Sequence, residues 1–332
     1  MICDYPIHFD TYRGCSHKCE YCFTTQIKTK KEIRPLKATK AIKNFINGRR
    51  ESDTAWCDWD IPIKWGGTSD PFQACEKEYG VSLAYLRLFA ETKYPFIVST
   101  KNPVLAASEP YLSLLSQCNC VFQISTACSE YDKLETGAPT YEERLKSAKI
   151  LSQHVTRLIV RVQPFFPKYF EEILKQIPRY AQSGAYGVIV EGYYDTRKHE
   201  DMQRDGKKYD FPLVVLVPMF KQIREECHKY GLRFFSGEDR IRFLGDDLSC
   251  CGTEGLDTFK PNKFNIQHLA FDENCEPTQR MKQQGGVYCF KSTNQRTEYW
   301  HRIKDKTFEE LMHDNGDNHV EWYKELKERY GE

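Results

Sequence analysis

The sequence predicts an α/β protein built around a parallel β-sheet. Short segments rich in β-branched and aromatic residues alternate with longer segments in which apolar residues recur at helical spacing. Parallel strands need such crossover segments, and the crossovers are almost always right-handed. Six strand–helix units fit an open barrel or a doubly wound sheet, and periodicity alone does not decide between them. In both folds, functional groups collect at the carboxyl ends of the strands.

The individual elements follow from the same patterns. The helix predicted at 140–154 is supported by Leu145, Ala148, Ile150 and Leu151, which lie near i, i+3, i+4 spacing. Strands are predicted at Ile7–Tyr12, Ile61–Trp65, Phe96–Thr100, Cys120–Ser125, Arg157–Val162 and Gly187–Glu191. Helices are predicted at Thr39–Asn47, Ser82–Thr92, Pro110–Ser116, Thr140–His154, Tyr169–Ser183 and Leu213–Tyr230.

The composition narrows the class of protein. Of the 332 residues, 40% are hydrophobic, which is enough for a sizeable core. The 48 Lys and Arg nearly balance the 47 Asp and Glu, which argues against a protein that binds polyanions over its whole surface. No apolar run approaches the roughly 18–20 residues of a spanning helix, and the first residues lack a signal-peptide pattern. We therefore expect a cytoplasmic protein with no membrane partner. Fourteen cysteines in a reducing compartment indicate that some of them bind a metal or cluster.

The pattern changes after about Ser236. Residues 237–294 are rich in Gly, Asp, Asn and Cys, and two short helical segments follow at Thr307–His313 and Val320–Tyr330. The sequence therefore predicts an α/β domain at 1–236 and a loop-rich, partly helical C-terminal extension at 237–332.

Three cysteines form the most informative motif. Cys15, Cys19 and Cys22 have Cys-x3-Cys-x2-Cys spacing and follow the first predicted strand. Soft thiolates select iron–sulfur clusters or zinc. Three thiolates this close can hold three corners of a cubane cluster and leave the fourth iron open to a ligand. A three-cysteine zinc site completed by His17 is the alternative.

This spacing, with Tyr21 just before the third cysteine, resembles the radical S-adenosylmethionine (SAM) superfamily. The resemblance implies a partial (β/α)6 TIM-type barrel for 1–236 and a [4Fe-4S] cluster whose open iron binds SAM. It also implies cleavage of SAM to a 5′-deoxyadenosyl radical, which abstracts hydrogen from a substrate, and an external electron donor of the flavodoxin or ferredoxin type. Tyr21 would then pack beside the cluster and the adenine.

A glycine pair ends the second predicted strand, in the segment Gly66, Gly67, Thr68, Ser69 and Asp70. Adjacent glycines let the backbone approach a ligand closely. The resemblance implies that this segment holds the amino end of SAM. A tight turn whose polar side chains cap the next helix is the alternative.

Further polar residues end the later strands: Ser99 and Lys101, Ser125, Arg161, and Glu191. By the same resemblance, Lys101 and Arg161 are candidates to pair with the SAM carboxylate, and Ser125 to bond the ribose or the carboxylate. Glu191 is a candidate to face the substrate or the adenine.

The order of these motifs over roughly residues 12–195 resembles the spore photoproduct lyase-like branch of the superfamily. In the lyase a cysteine hydrogen donor lies just before the Thr-Ser-Asp segment, where this chain has Gly67, so Cys57 and Cys75 are candidates for that role. A nucleic acid is one possible substrate, through lesion repair or base modification. A peptide or a small metabolite is an alternative, and a non-catalytic zinc or iron–sulfur nucleic-acid-binding module is another.

A second cysteine group lies in the extension: Cys250, Cys251, Cys275 and Cys289. Loop-rich segments that carry cysteines often depend on a metal for rigidity. We therefore expect a second iron–sulfur cluster or zinc here, with His268 as a further candidate ligand. Buried free thiols are the alternative.

A basic segment follows the cysteine triplet. Residues 24–50 contain nine Lys and Arg and one Glu. Such a run is able to contact nucleic-acid phosphates, with Trp56, Trp59 and Trp65 nearby to stack on bases. A solvated helix face and core tryptophans are the alternative.

Overall fold

The computed structural model describes residues 3–26, 32–36, 38–52, 54–205, 208–262, 265–272, 275, 288–290, 310 and 319–331. Within these residues the strands are β1 (Ile7–Phe9), β2 (Tyr12–Arg13), β3 (Arg34–Pro35), β4 (Ile63–Trp65), β5 (Phe96–Thr100), β6 (Cys120–Ser125), β7 (Arg157–Phe165), β8 (Gly187–Gly192), β9 (Tyr194–Asp195), β10 (Gln203–Asp205), β11 (Lys208–Asp210), β12 (Arg233–Ser236) and β13 (Tyr288–Cys289). The helices are α1 (Thr39–Ile46), α2 (Glu76–Tyr79), α3 (Val81–Thr92), α4 (Pro103–Ala106), α5 (Tyr111–Leu115), α6 (Tyr141–Leu151), α7 (Phe170–Gln182), α8 (Leu213–Lys229), α9 (Ile266–Phe271) and α10 (His319–Tyr330).

Eight strands form one parallel sheet in the order β12-β8-β7-β6-β5-β4-β1-β13. The six strands that the sequence predicts occupy its centre in chain order, as expected when each is followed by a crossover segment. All their carboxyl ends therefore meet at one edge. The predicted α/β fold class is confirmed, and the barrel is extended by β12 on one side and β13 on the other.

The first predicted strand is shorter than expected. Sheet pairing stops at Phe9, and Tyr12–Arg13 pairs antiparallel with β3 instead. The interruption coincides with Asp10, whose carboxylate accepts hydrogen bonds from the backbone N–H groups of Thr68 and Ser69, each at 3.0 Å. The Asp10 side chain is thus bound to the turn that follows β4, at the point where the chain leaves the sheet.

The extension contributes to the sheet and to its base. Strand β13 pairs with β1, with Ile7 opposite Tyr288. Before β1, the Asp4 carboxylate accepts from Asn265 at 2.8 Å and lies 3.1 Å from His268. The predicted helix at 320–330 is present as α10. Of the helix predicted at 307–313, only residue 310 is described, and it is helical.

Apolar residues fill the sheet and both of its faces. Every side chain of β6 is buried, and Trp65, Phe89 and Phe122 belong to one core while Phe165 and Phe220 belong to a second. A small antiparallel sheet of β9, β10 and β11 lies between β8 and α8 in the chain. Among the described residues, no helix has the length and apolar character needed to cross a bilayer.

Candidate active site

The cysteine triplet lies on the loop that follows β2. Cys15, Cys19 and Cys22 are in the thiol form, not in disulfides, and Cys19 is buried while the other two are partly buried. The loop turns through Lys18, which has a φ of +51°, and the backbone N–H of Cys22 donates to the carbonyl of Cys19 at 3.1 Å. The Sγ of Cys22 lies 3.0 Å from the hydroxyl of Thr24.

Two other segments hold this loop. The Gln73 side chain bonds Gly14 and Ser16 at 3.1 and 2.9 Å. From the segment after β6, the Gly137 N–H donates to the His17 carbonyl at 2.9 Å. A Cβ at Gly137 would lie 2.3 Å from the Ser16 carbonyl oxygen, so only glycine allows this close approach. The loop is thus held by the segments that follow β4 and β6.

His17 is engaged within the protein. Its Nδ1 lies 2.9 Å from the Gly137 carbonyl oxygen, and its Nε2 lies 3.0 Å from the Asp70 carboxylate. Burial lowers the pKa of His17, but Asp70 outweighs this effect and raises it. Both ring nitrogens of His17 thus lie within 3.0 Å of a protein oxygen.

The glycine-pair segment is tied to two aspartates. Asp10 accepts from the hydroxyl groups of Thr68 and Ser69 at 2.6 and 3.2 Å as well as from their backbone. Asp70 accepts from the Thr100 hydroxyl at 2.7 Å and from the Lys101 N–H at 2.6 Å. These hydrogen bonds thus order the turn that follows β4.

A hydrogen-bonded network joins three of the predicted residues, Ser99, Arg161 and Glu191. Its central member, Gln123, was not predicted from the sequence. The Gln123 Oε1 accepts from the Ser99 hydroxyl at 2.7 Å and from the Arg161 guanidinium at 3.2 Å. Arg161 also pairs with Glu191 at 2.8 Å. Burial raises the pKa of Glu191 to about 7, although Arg161 opposes this effect. The network runs across the four adjacent strands β5 to β8.

Lys101 and Tyr21 meet at a second unpredicted residue. The buried Glu135 carboxylate accepts from the Tyr21 hydroxyl and pairs with Arg144, and its Oε1 lies 3.4 Å from the Lys101 ammonium. Lys101 lies 5.6 Å from the centre of the Tyr21 ring, and burial lowers its pKa. The remaining predicted rim residue, Ser125, accepts from Arg144 through its carbonyl at 3.0 Å.

The candidate hydrogen donors lie in other surroundings. Cys57 is fully buried in the core, and its thiol donates to the Trp59 carbonyl at 3.2 Å. Cys75 precedes α2, and its pKa is raised to about 11 by burial and by Glu76. The contacts of both thiols are with residues outside the networks described above.

The second cysteine group is divided. The thiols of Cys250 and Cys251 are hydrogen-bonded to each other and form no disulfide. Cys3 interacts electrostatically with Cys250. Cys275 follows α9, where its N–H donates to the Asp272 carbonyl at 3.0 Å. Cys289 belongs to β13, and its side chain lies outside the described part of the structure. Among the described residues, no three His, Cys, Asp or Glu side chains converge to hold a single metal ion.

The basic segment is partly described. Arg34, Lys40 and Lys43 are exposed, whereas Arg50 donates to the carbonyls of Phe45, Cys57 and Trp59. Four of its lysines lie outside the described residues, namely Lys28, Lys30, Lys31 and Lys37. Trp56 and Trp65 are 2% and 0% exposed, so these two indoles are core residues and offer no face to a base.

The cysteine triplet fits the cluster that the sequence predicts. The three soft donors are thiols on one loop, and Cys19 interacts electrostatically with both Cys15 and Cys22. Ligands of a cubane bind different irons, so they need not converge on one point as the ligands of a single zinc ion do. Burial raises the pKa of Cys15 and Cys19 to about 12, so ligation would have to displace their protons.

The fold is similar to that of solved radical SAM enzymes. It is similar to a variant of spore photoproduct lyase with bound SAM and dinucleoside spore photoproduct, with a TM-score of 0.55 and 16% identity over 68% of this chain and 74% of that one. Two structures of SuiB from Streptococcus suis, with SAM and with the precursor peptide SuiA, each have a TM-score of 0.50. The SAM complex is 12% identical and the alignment covers 71% of this chain and 51% of SuiB. The SuiA complex is 14% identical and the alignment covers 70% of this chain and 49% of SuiB.

The curated relatives are uncharacterized proteins from Mycobacterium tuberculosis and Mycobacterium bovis. They are 25% identical over 197 residues, which is 55% of this chain and 57% of theirs. The chain therefore spans little more than half the length of the curated relatives it matches. No family model matches the chain.

Proposed function

We propose that this protein is a radical SAM enzyme and that Cys15, Cys19 and Cys22 hold its [4Fe-4S] cluster. The observation that carries the proposal is the position of the three cysteines: their loop follows β1 and β2 at the carboxyl edge of the parallel sheet. That edge also carries Lys101 and Arg161, which a module that only bound metal would not need. Such a cluster supplies the electron that cleaves SAM and yields the hydrogen-abstracting radical.

The chain's own residues would bind and orient SAM. The backbone beside Gly66 and Gly67 is suited to an ammonium group, because the polar side chains of the same turn are committed to Asp10. Arg161, steadied by Gln123 and Glu191, is suited to the SAM carboxylate. The barrel wall would exclude water from the radical.

The substrate assignment is part of the same proposal. We favour a nucleic-acid substrate over a peptide or small-metabolite substrate. We also propose an external electron donor of the flavodoxin or ferredoxin type. The engagement of His17 by Gly137 and Asp70 weighs against the zinc-binding module.

The test is anaerobic reconstitution with iron and sulfide, followed by dithionite and SAM. Cys19→Ala should lose both the visible absorbance of the cluster and the formation of 5′-deoxyadenosine. Cys118→Ala is the matched control, because its thiol makes one long contact of 3.8 Å to the Leu86 carbonyl and should retain both signals. Full cluster loading without 5′-deoxyadenosine would contradict the proposal.

A further inference from the structure

A second group of thiols lies at the amino ends of the strands, opposite the cysteine triplet. The segment that carries Cys250 and Cys251 follows β12. Arg157, at the start of β7, holds this segment by donating to two of its carbonyls at 2.9 and 2.7 Å. Tyr5, just before β1, holds it as well, because its hydroxyl lies 2.6 Å from that of Thr253. The proposed function gives these thiols no role.

The two neighbouring thiols of this segment face each other. Cys250 and Cys251 lie in a turn, so their side chains are not directed to opposite faces as they would be in a strand. The two thiols are hydrogen-bonded to each other. Cys251 is buried, whereas Cys250 is partly exposed, so a molecule as small as hydrogen peroxide reaches the pair from the Cys250 side. The pair is thus placed to form a disulfide.

A lysine of the barrel interior accompanies the pair. The Lys64 ammonium, from β4, interacts electrostatically with both Cys250 and Cys251. The hydrogen bond from Cys250 and the charge of Lys64 lower the pKa of Cys251 to about 7, although burial opposes them. By contrast, burial raises the pKa of Cys120 and Cys227, whose electrostatic neighbours are a thiol and carboxylates. Because the thiolate is the form that attacks an oxidant, Cys251 is the reactive member of the pair.

One side chain connects the pair to the rim of the barrel. The Gln123 Nε2 donates to the Cys251 carbonyl at 3.0 Å, while its Oε1 accepts from Ser99 and Arg161. A disulfide between neighbouring residues closes a small ring that contains the peptide bond between them, so the turn must change shape. Because Arg157 holds the residues that follow, this change moves the Cys251 carbonyl. Gln123 then transmits the movement to Arg161.

We propose that Cys250 and Cys251 are a site of reversible oxidation by peroxides, and that their disulfide weakens the binding of SAM. The Cys251 thiolate attacks one oxygen of the peroxide, which breaks the O–O bond, leaves a sulfenic acid and, with one proton, releases water. The Cys250 thiol then attacks that sulfur, and its proton leaves with the sulfenic oxygen as a second water. The two thiols thus lose two electrons to the peroxide, and a dithiol reductant returns them. The effect on SAM rests on the proposed function, whereas the oxidation does not.

The first measurement follows the thiols of the reconstituted full-length protein. After a stoichiometric amount of hydrogen peroxide is added, the remaining thiols are blocked with N-ethylmaleimide and the tryptic peptides are analysed by mass spectrometry. In the wild type, the peptide with Cys250 and Cys251 should have lost two hydrogens and should be blocked only after dithiothreitol is added. The peptide with Cys118 and Cys120 is the internal control and should stay reduced.

Three substitutions test the role of each group. Cys251→Ser should form no disulfide and should leave Cys250 open to blocking. Lys64→Gln should slow disulfide formation at pH 7 about 5-fold, because a pKa raised by about one unit leaves a smaller share of thiolate. Cys118→Ala is the matched control, since burial raises the pKa of that thiol to about 12, and its pair should be oxidised at the wild-type rate.

The second measurement is equilibrium dialysis of the same samples with radiolabelled SAM. Peroxide should weaken SAM binding by the wild type about 10-fold, the usual contribution of one hydrogen bond to a charged group. Dithiothreitol should restore the affinity, whereas a damaged cluster would also need iron and sulfide. Cys251→Ser, treated in the same way, should keep its affinity and so measures any damage to the cluster.

Several results would overturn the proposal. They are a wild-type pair that stays reduced, a disulfide that joins Cys250 to Cys3 instead, and oxidation of Lys64→Gln as fast as that of Cys118→Ala. An unchanged SAM affinity after the disulfide has formed would also overturn it, as would a bound metal ion that Cys251→Ser loses. Disulfide formation is also measured before reconstitution. A disulfide that forms there, in a protein that never yields 5′-deoxyadenosine, would refute the radical SAM enzyme and retain the oxidation site.

Discussion

Glu135 holds two buried cations at the barrel mouth, so its charge should be worth far more than that of a surface carboxylate. The Arg144 and Glu135 side chains are 1% and 2% exposed, and Lys101 is 15% exposed. In Glu135→Gln the volume is kept but the charge is lost, and both cations remain buried without a carboxylate. Breaking a buried ion pair from one side costs about 3–5 kcal/mol.

The assay is urea unfolding followed by far-UV circular dichroism. Glu172→Gln is the matched control, because it makes the same change in a surface pair with Lys175 and should cost about 0.5 kcal/mol or less. Adding Arg144→Met to Glu135→Gln removes one of the stranded charges, so the double variant should lose less than the sum of the single losses. A loss below about 1 kcal/mol in Glu135→Gln would refute the reasoning, because it would mean that water or other groups already compensate the cations.

A glycine, a buried carboxyl group and a helix cap each give a further expected outcome. The Gly66→Ala substitution should lower the free energy of unfolding by about 2–4 kcal/mol, because φ is +88° there and the new Cβ would lie 2.7 Å from the Ser99 carbonyl oxygen. The control Gly67→Ala should change this free energy by no more than about 1 kcal/mol in the same urea assay. The pKa of Glu191 is 4.5 in its reference state and about 7 when folded, so the folded protein binds the extra proton and loses stability as pH rises through that window. Between pH 4.5 and 7, the free energy of unfolding of the wild type should fall by up to about 3 kcal/mol relative to that of Glu191→Gln. A stability difference between the two proteins that does not change with pH would contradict the raised pKa of Glu191. Thr140→Ala removes the capping box of α6 and should lower stability by about 1 kcal/mol in thermal melts, and an unchanged melting temperature would show that the cap is unimportant.

The strands and the rim residues were predictable because both depend on local pattern. Buried strands carry their own apolar signal, and β5 and β6 begin and end at the predicted residues. Once the strands are placed, the rule that functional groups gather at their carboxyl ends leads to Ser99, Arg161 and Glu191. Gln123 was also available to this reasoning, since it is an amide between the apolar residues Phe122 and Ile124 of a buried strand.

Other parts of the site arise from tertiary packing and leave no local pattern. Glu135 is in a loop, and nothing in the neighbouring residues indicates that it will meet Tyr21 and Lys101 from two other segments. The antiparallel sheet β9–β11 consists of strands of two or three residues, too short to show a period. The same holds for β13, whose place beside β1 is decided by the whole fold.

The pairing of β1 with β13 has a consequence for how the protein is made. The strand that precedes the cysteine loop leaves the ribosome before its outer neighbour, which follows about 280 residues later. At roughly 5–20 residues per second, that interval is about 14–56 seconds. During it, the edge of β1 is open to pairing with other chains. We therefore expect insertion of the proposed cluster to follow synthesis of β13, and nascent chains to need protection at the edge of β1 until then.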